Sequence, residues 1–157
     1  MPFEKFVSIA VCIAVIAVAA IACSQEPRDI ADVKEFRFST SGMRRYSGFD
    51  YVAMSTGDRA VITIRLRDEP GENTVEFETD LAIMEELRKI IIENNILSWD
   101  GFDKSNKRIL DGNSFTLKLK LSDGTTAHAH GYHTWPKNYR SAEKEIEKVF
   151  MQAYEKR

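Results

Sequence analysis

Cysteine is nearly absent from this chain: there are two in 157 residues, and one of them, Cys12, lies inside an apolar run near the N-terminus. If that run is removed on export, Cys23 stands alone and no internal disulfide can form. A large excess of charge of either sign is also missing. Lys and Arg number 22 against 24 Asp and Glu, a net charge of −2, which supplies no basic stripe for nucleic acid. No phosphate-cradling glycine loop, no Gly-x-Ser-x-Gly elbow and no His-Glu-x-x-His pair occurs, so the common signatures of nucleotide hydrolysis, serine hydrolysis and zinc proteolysis are lacking. Histidine is scarce, and all three copies, His128, His130 and His133, fall in one stretch, "AHAHGYHTWPKNY".

What is present begins with "MPFEK" followed by an uncharged apolar run from Phe6 to Ala22. Its length is slightly long for a secretory core and at the lower limit for a spanning helix. The flank then reads "AIAC" before polar "SQEPRD", a small-x-small pattern ending at a cysteine. That junction resembles the lipobox of bacterial lipoproteins, with Ala20 where the family usually carries a larger aliphatic. The resemblance implies removal of residues 1–22 and attachment of lipid acyl chains, palmitate among them, at Cys23, so that the partner at this point is a membrane lipid. Multiple acyl chains hold a domain firmly, each buried methylene contributing about 0.8 kcal/mol. Ser24 resembles the sorting preference for an outer membrane in bacteria with two. The alternatives are a retained signal anchor, or ordinary cleavage after Ala22 that leaves a free thiol.

Residues 23–33 are polar without a sustained period and read as a tether. Residues 34–157 have the length of one domain. Alternation predicts strands at "FRF", "YSGFDYVAMS", "RAVITIRLR" and "TVEFETD", with Ala60, Ile62, Ile64 and Leu66 sharing a face in the third. The period then lengthens. Thr79 or Asp80 caps a helix over "LAIMEELRKIIIENN" with Leu81, Met84, Leu87 and Ile91 on one stripe. A second helix is expected from about Ser141 to Tyr154, burying Ala142, Ile146, Val149, Phe150 and Ala153. The fold class is therefore α+β: an antiparallel meander with two helices packed on one face, in the order ββββ-α-ββ-α.

Between the helices, "SFTLKLKLSDGTTAHAHGY" reads as a hairpin with inward Phe115, Leu117, Leu119 and Leu121. A two-residue loop would set Leu119 opposite His128 and bury both imidazoles. A three-residue loop with Gly124 in a bulge sets Leu119 opposite Ala127 and Leu117 opposite Ala129, and this register is preferred because it buries alanines and exposes histidines. His128 and His130 then share a face with Cα atoms roughly 6–7 Å apart. Structural zinc takes four ligands and catalytic zinc usually three. With no cysteine in the domain and lysines on the same face, no metal and no other cofactor is assigned; any metal would bind weakly, at His128 and His130.

The stretch "ILSWDGFDKSNKRILDGNSF" carries Trp99, Asp100, Gly101, Phe102 and Asp103, then Leu110, Asp111, Gly112, Ser114, Phe115 and Leu117. Asp123, Gly124 and Thr125 follow in a turn, and Gly131, Pro136, Asn138 and Tyr139 precede the last helix. This ordered spacing resembles a group of small, uncharacterised exported bacterial proteins over roughly residues 46–150; the resemblance brings no activity with it. Two aromatic segments can wall a ligand surface, with Trp99, Phe102, Trp135 and Tyr139 giving apolar contact and Asp100 and Asn138 giving polar direction. The opposing reading closes the core with these rings. A hydrolase would have to pair Ser114 with a histidine across the hairpin, and nothing in the sequence marks Ser114 as activated. The leading expectation is a membrane-tethered, non-catalytic binding or structural domain of the cell envelope, meeting an envelope protein or a small ligand.

Overall fold

The computed structural model describes residues 29–42, 48–68, 71–109 and 112–157. The leader, Cys23 and the first half of the tether lie outside the described residues, as do Leu110 and Asp111. In chain order the elements are β1 (Val33–Ser41), β2 (Gly48–Ser55), β3 (Ala60–Asp68), β4 (Gly71–Thr79) and α1 (Ala82–Glu93). A short 3-10 turn (Ile96–Trp99) leads to β5 (Phe102–Ser105), β6 (Ser114–Leu121), β7 (Thr126–Tyr132) and α2 (Tyr139–Glu155).

All seven strands form one sheet in the order β4-β3-β2-β1-β6-β7-β5. The four expected N-terminal strands form an antiparallel run, and β6 docks on the free side of β1, pairing Phe36 with Leu119 and Phe38 with Leu117. The expected all-antiparallel sheet with order ββββ-α-ββ-α needs correction. "FDKS" forms an additional strand, β5, that pairs parallel with β7. Edge groups of β7 need partners, and the chain supplies them at both ends of β5: Gly101 N–H donates to the His128 carbonyl at 2.9 Å, and Asn106 N–H to the Tyr132 carbonyl at 2.9 Å. Gly101 permits the approach through its positive φ of 73°. A four-residue strand with three exposed side chains has no alternation to announce it in sequence.

Period-two patterning puts Phe36, Phe38, Tyr51, Ala53, Ile62, Ile64, Leu117 and Leu119 on one buried face. Both helices cover that face. Phe150 of α2 stacks on Tyr51 at 4.7 Å and lies 6.4 Å from Phe36, while Met84, Leu87 and Ile91 of α1 join the same core. Ile83 and Ile90 are buried as well, because α1 meets α2 in addition to the sheet, whereas the expected stripe residue Leu81 is only half-buried. The expected cap at Thr79 or Asp80 needs correction: the N-cap is Leu81, which makes no side-chain capping hydrogen bond, and Asp80, one residue before it, accepts the Ala82 N–H at 2.9 Å. Asn94, a buried polar residue, donates to the Ile90 carbonyl and to Glu145 and so ties the end of α1 to α2.

Part of the tether belongs to the fold. Arg88 donates to the Ile30 carbonyl at 2.9 Å and pairs with Asp29, Ser122 N–H donates to the Asp32 carbonyl, and Ile30 and Ala31 pack against the core. Residues 29–33 therefore pack as part of the domain. Among the described residues no helix is long and apolar enough to cross a membrane.

Candidate functional site

The hairpin adopts the three-residue register: Leu119 pairs with Ala127, Lys118 with His128 and Leu117 with Ala129. Gly124 takes φ 89° in the loop, and Asp123 accepts the Thr125 N–H at 2.9 Å. That hydrogen bond holds the Asp123 carboxyl below the usual carboxylate range. His128 and His130 consequently stand exposed on the open sheet face, with His130 Nδ1 3.4 Å from the Thr116 hydroxyl. His133 has φ 52° and donates its backbone N–H to Asn113. Among the described residues no three His, Cys, Asp or Glu side chains converge as metal ligands.

The six residues proposed as a ligand surface divide. Trp99 is 1% exposed, donates its indole N–H to the Lys137 carbonyl at 3.0 Å, and meets Phe115 edge-on. Tyr139 is 2% exposed and packs on Phe115, Trp99 and Trp135. These two rings close the core, so they cannot act as open ligand walls. Phe102 and Trp135 are partly buried against Phe115, and the Arg140 guanidinium lies 5.1 Å over Trp135. Asp100 accepts the His128 N–H at 2.9 Å, which pins the chain entering β5. Asn138 takes φ 63° just before α2 and donates to the Asn94 carbonyl. The two polar residues are thus engaged in backbone shaping.

Ser114 hydrogen-bonds to the Ser41 hydroxyl at 2.6 Å, and its cross-strand neighbour is Tyr132. His130 is a diagonal neighbour, roughly 7–8 Å away in such pairings. The hydroxyl partner of Ser114 is thus Ser41, on β1, and not a side chain of the hairpin's second strand.

A different constellation lies on the open face, where β1, β2, β3 and β6 bring together residues far apart in sequence. Asp50 of β2 receives both Arg37 Nε at 3.0 Å and Arg37 Nη2 at 2.6 Å, a two-pronged pair. Directly opposite Asp50 on β3 is Arg65, whose Nε donates to Thr74. Beside this charged triad run two cross-strand hydroxyl pairs, Ser39 with Thr116 and Ser41 with Ser114. Together they line a hollow of about 210 Å³. A smaller notch of about 90 Å³ adjoins it, sharing Thr40, Ser41 and Ser114 and bounded by Trp135, Arg140 and Glu143. There Glu143 accepts from the Tyr139 hydroxyl at 2.9 Å and from Arg140 at 3.2 Å. Burial, then the Glu143 charge, pushes the Tyr139 hydroxyl well above the ordinary tyrosine value, so it remains a neutral donor.

Sequence reasoning did not select Arg37, Asp50, Arg65 or Ser41. Each shows only as an outward polar residue in an alternating strand, and their meeting depends on the register among four strands. No protein-family model matches the chain, and no curated protein matches it.

Proposed function

We propose that this chain is a bacterial envelope lipoprotein, anchored by acyl chains on Cys23 and carrying a non-catalytic binding domain whose ligand end is the open-face hollow. It belongs, in this reading, with the small exported proteins that share the Trp99–Phe102 and Asp123–Thr125 pattern, and Ser24 directs it to the outer membrane where the source has two. The observation that carries the reading is the polarity of the domain along β1. Support comes from the start of β1, which lies beside residues Asp29–Asp32, and from the hollow, which runs from Arg37 in the middle of β1 to Ser41 at its end. The hollow thus begins roughly 13 Å from Val33 and reaches roughly 25–30 Å from it. The six peptide units from Cys23 to Asp29 span at most about 20 Å. An anchored domain would be held close to the bilayer and would present the hollow away from it.

A binding role also fits the state of the polar groups. Arg37 with Asp50, Ser41 with Ser114, and Glu143 with Tyr139 and Arg140 are paired into a fixed arrangement. Such preorganised donors suit recognition. The test is the intact mass of the protein from membranes, compared with a Cys23→Ala variant. The expected mass is residues 23–157 plus a diacylglyceryl or triacyl increment that the variant lacks. An unmodified full-length mass, or an unmodified mass of residues 23–157, would reject the lipid anchor.

A further inference from the structure

We propose that the open face of the sheet packs against the open face of a second copy of this chain, about a two-fold axis that runs along the strands. The inference goes beyond the binding role and rests on the lipid-anchor reading only where it sets two anchors in one membrane.

On the side the helices leave uncovered, cross-strand register sets the outward residues of β4, β3, β2, β1 and β6 in level rows. One row runs Glu78, Val61, Met54, Glu35 and Lys120, and the next runs Glu76, Thr63, Val52, Arg37 and Lys118. Met54 is 46% exposed, with Val52 and Val61 half-buried beside it, so the middle of these rows is apolar. The flanks carry opposite charges. Glu76 and Glu78 stand exposed on β4, while Lys118 and Lys120 stand exposed on β6. Between the flanks Arg37 is held by Asp50, Glu35 lies opposite Lys120, and Arg65 donates to Thr74. On these five strands the outward acids Glu35, Asp50, Glu76 and Glu78 are therefore matched in number by the bases Arg37, Arg65, Lys118 and Lys120. The charge is separated across the face and not in excess on it.

Such a face complements itself in one orientation. An axis lying across the strands would lay β4 on β4 and β6 on β6, like charge on like. An axis along the strands, centred on β2, lays β4 of each copy on β6 of the other and keeps every row level. Glu76 then meets Lys118 of the second copy, Glu78 meets its Lys120, and Met54 meets Met54 at the axis. The two Asp50 side chains also approach the axis, each already neutralised by both prongs of its own Arg37. Packed sheets stand about 10 Å apart, a gap that a Glu and a Lys reaching from both sides close. Their strands cross at about 30°, which offsets β4 from β6 by about 5 Å, less than the roughly 7 Å between rows. β7, with His128 and His130, lies beyond β4 of the second copy.

Five strands about 4.8 Å apart and about 25 Å long give roughly 600 Å² per copy and about 1,200 Å² in all, the lower end of specific interfaces. The apolar middle supplies contact, and the charged flanks select the orientation. The same axis keeps both β1 starts at one end, so two copies anchored at Cys23 can share one bilayer. The hollow, with Asp50 near the axis, becomes a cleft between the two copies.

The experiment is sedimentation equilibrium of the full chain in neutral, density-matched detergent at low salt, where a reversible monomer–dimer equilibrium is expected. Glu76→Lys with Glu78→Lys sets lysine on lysine, and Lys118→Glu with Lys120→Glu sets glutamate on glutamate. Each double variant should weaken dimerisation at least tenfold. An equal mixture of the two restores both contacts and should form a mixed dimer within about threefold of the wild-type affinity. Met54→Glu, which places like charges at the axis, should also weaken dimerisation at least tenfold. Lys144→Glu with Lys148→Glu, on the exposed side of α2, changes net charge as much as the lysine swap on β6 and should leave dimerisation within twofold. A wild-type monomer at every concentration would leave the face to some other partner and overturn the proposal. Wild-type affinity in Met54→Glu or in either charge swap, or a mixture that fails to recover, would overturn it as well. Dimerisation in detergent does not depend on lipidation, so a failed lipid-mass test and a failed dimer test are separate results.

Discussion

Replacing Gly131 with alanine tests the packing at the end of the hairpin. Gly131 lies opposite Phe115 in the β6–β7 register. A β-carbon there would come to 3.0 Å from Phe115 Cδ1, and closer still to Phe115 Cε1 and to the Thr134 carbonyl oxygen. Neither neighbour can yield cheaply. Phe115 is 1% exposed, with ring centroids of Tyr139 at 4.7 Å, Trp135 at 5.7 Å, Trp99 and Phe102 at 6.1 Å and Phe38 at 6.4 Å. The Thr134 oxygen is main chain, so it moves only with the segment leading to Trp135. Overpacking a full core costs about 1–3 kcal/mol, and the second clash places this case at about 2–4 kcal/mol. For a domain of this size each kcal/mol lowers Tm by roughly 3–5 °C, giving a drop of about 6–20 °C. Gly124→Ala is the internal comparison. Its β-carbon meets nothing within 4 Å and only the left-handed φ of 89° is strained, a net cost of about 1 kcal/mol. Thermal melts followed by near-ultraviolet dichroism would report both. If Gly131→Ala falls no further than Gly124→Ala, the close approach of Phe115 and Thr134 is not part of the folded state.

Three further outcomes are expected. Phe150→Ala, which removes the ring stacked on Tyr51, should cost about 3–5 kcal/mol in denaturant titration, and a loss below about 1 kcal/mol would contradict the packing of α2 on the sheet. Burial raises the folded-state Tyr51 and Tyr139 hydroxyls above the ordinary tyrosine value near 10, so the unfolded chain releases those protons first. Their contribution is intact below the unfolded value and is lost as pH rises above it; tyrosinate absorbance reaching the amplitude of all five tyrosines before unfolding would contradict this. Arg88→Ala should expose the bonds around Asp29–Asp32 to limited proteolysis while changing stability by about 1 kcal/mol or less, and unchanged cleavage would show that Arg88 does not hold the tether.

Local patterning carried much of the architecture. The alternation in "RAVITIRLR" and "SFTLKLKL" and the lengthened period of "LAIMEELRKIII" follow directly from side chains that must leave water on one side. The choice of the three-residue hairpin loop followed from the same rule, because the other register buries two imidazoles. What was not legible was short or assembled. β5 has four residues and no alternation, and its parallel pairing exists because the edge of β7 offers unsatisfied backbone groups. The aromatic segments were visible as aromatics, but whether Trp99 and Tyr139 face a ligand or a core depends on where Phe115 lies. In the fold both rings close over Phe115.

By itself the amino-acid order determined the kinds of elements, the buried face of each strand and the outward placement of His128 and His130, since each depends on periodicity within a few residues. Tertiary structure alone decided that β6 would lie against β1 and that Arg37, Asp50 and Arg65 would stand side by side near Ser41 and Ser114. Those residues come from four strands, and their proximity is created by inter-strand register, which is the joint result of backbone pairing and the packing of one shared core.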